Sequence, residues 1–137
     1  MTRIATVQGG LAISDPIAVS VARVYKLPPP ETHKYNSFPC FVNSVRLLPL
    51  VYASSLLRRT YEVRMQLLVK DNDFGRGCEI ALAFEEELIR AFASDITLEN
   101  HCTNIETIVG ELANLNGYPG LDYRLLLHMA EAQTMGG

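Results

Sequence analysis

The feature that most constrains this chain is an alternating run in which Tyr61, Val63, Met65, Leu67 and Val69 take turns with Thr60, Glu62, Arg64 and Gln66. A period of two places one set of side chains on a core and the other toward water or a neighbour, the mark of a strand in a two-faced sheet. Only Leu68 breaks the pattern. Extended over residues 58–70, such a strand is ~43 Å long at ~3.3 Å per residue. A compact chain of 137 residues has a radius of gyration of ~14 Å and a diameter of ~37 Å. Unless a bulge bends it, the strand overruns the domain edge and leaves an end free to pair with something else.

A second run closes the chain: Leu121, Tyr123, Leu125, Leu127 and Met129 alternate with Asp122, Arg124 and His128. Between the two runs, Asp71, Asn72, Asp73 and Gly75 form a turn that supplies cap oxygens for a helix over residues 76–94. Its apolar stripe is read as Ala81, Leu82, Leu88, Ile89 and Phe92, with Glu85 at the edge and Phe84 and Ala91 flanking. Glu79, Glu86, Glu87 and Arg90 lie on the other side. Such a helix is the lid of the core.

The remaining elements are weaker. Residues 1–15 hold the Gly9-Gly10 pair and no sustained period, so they read as a mobile arm or a short irregular lead-in. Residues 17–27 are small and β-branched and run into Pro28-Pro29-Pro30, which predicts a strand; Ser14, Asp15 and Pro16 offer a helix start as the competing reading. A polar loop at 31–39 leads to a strand over 40–47, stopped by Pro49. Residues 48–59 mix Leu50, Tyr52 and Leu56 with Ser54-Ser55, which suits a hairpin tip or projecting loop better than a strand interior. A further strand is expected over about 102–112, a turn over 114–120, and a frayed tail over 133–137. The expected architecture is a single α+β domain, a mostly antiparallel sheet packed on one face by a long amphipathic helix.

Composition excludes several functions. A net charge of −3 gives no surplus for neutralising phosphates, so direct nucleic-acid binding is not expected. No apolar run reaches the ~20 residues needed to span a bilayer, and the start of the chain lacks the pattern of a secretion signal, so a cytosolic origin and no membrane partner are expected. Cys40, Cys78 and Cys102 are odd in number and widely spaced, which reads as reduced thiols, mostly buried.

Nor does the chemistry of a catalyst assemble. His101-Cys102 is the one adjacent pair of metal-ligand types, and neighbours on a strand point to opposite faces. His33, His101 and His128 stand near no nucleophile elbow, Gly75-Arg76-Gly77 is too short to cradle phosphate, and Glu85, Glu86 and Glu87 diverge around a helix. The expectation is therefore no enzyme activity, no cofactor and no metal. Arg58 and Arg59, with Arg46 and Arg64, form either a basic patch on the polar side of the sheet or a set of solubilising charges. Candidate partner contacts are Leu50, Tyr52, Leu56, Arg58 and Arg59.

Several segments together resemble tailed-phage tail terminator proteins, also called tail-completion proteins. They are Val24-Tyr25-Lys26-Leu27-Pro28-Pro29-Pro30, Phe38-Pro39-Cys40-Phe41-Val42, the strand from Tyr61 to Val69, Ala91-Phe92-Ala93-Ser94-Asp95-Ile96-Thr97-Leu98 and Gly117-Tyr118-Pro119-Gly120-Leu121-Asp122-Tyr123. The likeness runs from about residue 17 to 131 and rests on small and aromatic residues, not on catalytic letters. It implies a structural virion protein at the head-tail junction, assembled in the host cytoplasm. It also implies a homo-oligomeric ring, a hexamer, that caps the tail tube protein, ends its polymerisation and offers a docking surface to a head-completion or neck protein. Relatives carry a helix near the N-terminus, where this chain has no clear period. The alternatives are another neck component, such as a head-closure or tube-like protein, and a host small-ligand-binding domain.

Overall fold

The computed structural model describes residues 2–15, 17–30, 34–48, 51–53, 56–95, 98, 104–115 and 117–132. In chain order they form α1 (Thr2–Gly9), β1 (Ala12–Ile13), β2 (Val19–Ser20), β3 (Arg23–Tyr25), β4 (Cys40–Leu47), β5 (Val51–Ala53), β6 (Leu56–Leu68), α2 (Phe74–Ala93), β7 (Asn104–Leu115) and β8 (Tyr118–Ala132). The main sheet has the order β3-β4-β6-β8-β7, with β5 added beside β6, and β1 and β2 make a separate pair. Every pairing is antiparallel except β3 with β4. The fold is α+β, with helix packed on a mostly antiparallel sheet.

The two alternating runs lie side by side. β6 and β8 pair without interruption from Leu56–Ala132 to Leu68–Gly120, so their apolar sets fall on one face. Val63, Met65, Leu67, Leu121, Tyr123 and Leu125 are all buried there, in one cluster with Ile80, Ala81, Phe84, Leu88 and Phe92 of α2. Each fully buried side chain of this size contributes ~1.5–3 kcal/mol. α2 starts where Asp73 accepts hydrogen bonds from the Gly75 and Arg76 amides, and Asp71 accepts from the Asp73 amide and from Arg76 Nε. The pairing with Arg76 holds the Asp71 carboxyl below the usual carboxylate range. The helix stripe is turned from the expected one: Ile80 and Phe84 are buried, while Leu82 and Ile89 are exposed.

The N-terminal segment is a correction. It is neither a mobile arm nor irregular, because residues 2–9 form α1, which buries Ile4 and Gln8 one turn apart. Gln8 and Asn43 exchange two side-chain hydrogen bonds of 2.8 Å inside the core, each amide donating to the other. Arg3 ties the same helix to Asp95 beyond the end of α2 at 2.8 Å. The helix start at Ser14-Asp15 does not develop; short β2 and β3 occupy residues 19–25.

Other boundaries shift by recognisable causes. β4 runs over the expected residues. The stretch expected as a projecting loop at 48–59 is largely strand, with β5 folding back antiparallel on the start of β6. β7 is described from Asn104, the expected residues 102–103 lying outside the described residues, and runs on to Leu115, with a bulge between Thr107 and Val109. The turn expected over 114–120 shrinks to its tip at Gly117, whose φ of 89° needs glycine. Pro119 and Gly120 belong to β8 instead. A Cβ on Gly120 would run into the Leu67 carbonyl oxygen and lie 2.7 Å from Leu115 Cδ1. The tail at 133–137 lies outside the described residues.

Among the described residues, the outer face of the sheet has an apolar cover at the end where β4 begins. Cys40, Val42 and Leu68 are buried there under Tyr25, Tyr35, Phe38, Leu115 and Tyr118. Phe38 and Tyr118 stack at 4.8 Å, and Tyr25 meets Tyr35 edge-on at 5.6 Å. The segment expected as a polar loop thus supplies two of the covering aromatics.

Two stability measurements check this packing. Gly120→Ala should cost ~2–4 kcal/mol in chemical denaturation through backbone collision. Asn43→Ala should cost ~1–3 kcal/mol by leaving the Gln8 amide buried without its partner, and pairing Asn43→Leu with Gln8→Met should recover much of that loss.

Candidate assembly surface

Among the residues whose burial is described, the last fully buried row on the α2 side is Val63 with Leu125, followed by half-buried Tyr61 and Leu127. Beyond them residues 56–60 of β6, paired with 128–132 of β8 and partly with β5, continue for ~16 Å at ~3.3 Å per residue. The candidate contacts fall here in part: Tyr52 lies in β5, Leu56 and Arg58 in β6, and Leu50 lies outside the described residues.

Of the two neighbouring arginines, Arg59 is half-buried and has the parity of Val63 on the α2 side. Arg46 and Arg64 do share the outer face. Arg64 makes a forked contact with Asp122, Nε to Oδ1 at 3.0 Å and Nη2 to Oδ2 at 2.6 Å. That hydrogen bonding pushes the Arg64 pKa up. The Asp122 side chain is only 7% exposed and lies against this guanidinium. Arg46 reaches Glu62 at 3.2 Å with its own side chain 68% exposed. Beside them the outer face dips into an open depression of about 300 Å³ lined by Ser44, Val45, Arg46, Glu62, Arg64 and Arg124. On the far strands His128 Nε2 lies 2.9 Å from Glu106, and its Nδ1 lies 3.4 Å from Thr60 Oγ1.

Both flanks of the sheet are open among the described residues. β7 has a partner on one side only, β8. On the opposite flank β3 pairs with β4 only as far as Val42, and the rest of β4 is exposed from Val45 onward. Val45 and Leu47, on the α2-facing side, are 38% and 50% exposed although both are apolar. Sequence reasoning missed this flank because a strand pattern reports faces, not which strand lies at an edge.

Thiol and metal chemistry are limited in what is described. Cys40 is buried, and burial pushes its thiol up to about 11, while Cys78 is half-exposed; both are free. Among the described residues no three His, Cys, Asp or Glu side chains gather into a group that could hold an ion. His33, His101 and Cys102 lie outside them. No helix among the described residues is long and apolar enough to cross a membrane. Compared with protein-family models and with curated proteins, the chain matches none.

The two arginine pairs should separate on mutation. Arg64→Ala should cost ~1–3 kcal/mol in urea denaturation, since it strands a nearly buried carboxylate. Arg46→Ala should cost less than ~0.5 kcal/mol, as an exposed pair does.

Proposed function

We propose that this chain is a structural virion protein, a tail terminator that forms a ring on the finished tail tube, ends its polymerisation and offers the head its docking surface. The observation that carries this reading is a long sheet with exposed edges: β6 and β8 pair on past the Val63–Leu125 row, and both flanks of the sheet are open among the described residues. Strand edges of this kind are a liability for a protein that works alone and an asset for one that assembles. The family likeness of the segments at 24–30, 38–42, 61–69, 91–98 and 117–123 supports the same reading.

The mechanism is geometric. A head-to-tail contact between identical subunits closes into a ring when its rotation allows. The ring then presents one surface to the tube and another to the head, and the tube stops growing because its terminal subunits are already paired. No bond is made or broken. The β5-β6-β8 tip is suited to reach one of these partners, since it carries the sheet on past the Val63–Leu125 row.

The same open edges favour a second reading, a tube-like neck protein that polymerises without limit. Mixing the purified chain with polymerising tube protein separates the two. A terminator should fix tube length and leave a ring at one end in electron micrographs. Unrestricted growth with bare ends would overturn the terminator reading, and long filaments of this chain alone would favour the tube-like one.

A further inference from the structure

We propose that the open edge of β4, over residues 45–48, is the docking strand for the β7 edge, over residues 104–107, of a second copy of this chain. Strand direction permits it. β4 is antiparallel to β6, β6 to β8 and β8 to β7, so β4 and β8 run one way and β6 and β7 the other. β7 of one copy laid beside β4 of a second copy in the same orientation is therefore antiparallel to it, and the sheet continues in its own pattern.

Register and chemistry agree with direction. Across one copy Arg46 is level with Glu62, Leu126 and Glu106. Leu47 is level with Tyr61, Leu127 and Ile105. Two copies set side by side without sliding then bring Arg46 opposite Glu106 on the outer face and exposed Leu47 opposite Ile105 on the α2 side. Opposite charges and apolar pairs directly across an antiparallel ladder both stabilise it. Glu106 is held by His128, with its side chain largely exposed, and Arg46 can bridge Glu62 and the new carboxylate together. The bulge between Thr107 and Val109 marks where this pairing stops.

The helix layer fits the same arrangement. Leu82, Glu85 and Ile89 share one stripe of α2, and Glu85 lies beside Gly110 of β7. Exposed Leu82 and Ile89 therefore sit on the β7 flank, whereas α1 contacts α2 near Ala91 on the other side. Docking would cover that stripe together with Val45 and Leu47. Closure into a ring rests on the terminator reading; the edge pairing does not.

The test uses the full chain. By light scattering over a rising concentration series the native protein should self-associate, and amide exchange should slow at 45–48 and 104–107. Arg46→Glu and Glu106→Arg should each raise the concentration required by about tenfold or more, by setting like charges opposite each other. An equimolar mixture of the two variants should recover assembly, because each supplies the edge that the other's altered edge needs. Circular dichroism should find both variants folded. A native chain that stays monomeric into the millimolar range, variants that assemble as well as native, no recovery on mixing, or protection elsewhere would each overturn the pairing. Tube capping is scored separately: a native chain that pairs but leaves tubes uncapped overturns the terminator reading alone.

Discussion

The uninterrupted antiparallel ladder between β6 and β8 decides what every other element meets. A slip of one residue would carry Val63, Met65 and Leu67 to the outer face and put Glu62 and Arg64 under α2, so the buried face holds the register as firmly as the hydrogen bonds do. α2 is laid along that face, with Gly77 against Pro119 at one end and Phe92 buried at the other. β4 and β7 then take the two sides of the ladder.

Cover is distributed unevenly over this sheet. α2, α1 and the β1-β2 pair close the inner face, and the aromatics around Phe38 and Tyr118 close the outer face at the end where β4 begins. The opposite end is left with polar pairs outside and Val45 and Leu47 exposed inside. The two arginine pairs differ accordingly: the forked Arg64–Asp122 contact holds a nearly buried carboxylate, whereas Arg46 reaches Glu62 from an exposed position.

Much of the fold was legible where periodicity is strong. β4, β6, β8 and α2 follow from alternation, from Pro49 and from the Asp71–Asp73 cap, which are local signals. α1 was not legible, because its helix is fixed by Ile4 in the core and by the Gln8–Asn43 exchange, with a partner 35 residues away. The same limit misplaced the stripe of α2: Leu82 is apolar yet exposed, and only the position of β7 determines which side of the helix is covered. Among the candidate contacts, Arg59 takes the parity of Val63 and is half-buried, a placement that the Arg58-Arg59 dipeptide by itself does not record.

By itself the sequence determined the long strands β4, β6 and β8 over most of their length, which face of each is apolar, and that one long helix serves as lid. These depend on periods of two and 3.6 that each segment carries alone. Tertiary structure alone decided strand order, the open edges of β4 and β7, the docking of α1 and the aromatic cover of the outer face. All of those depend on contacts between residues far apart in the chain, and no local period records them.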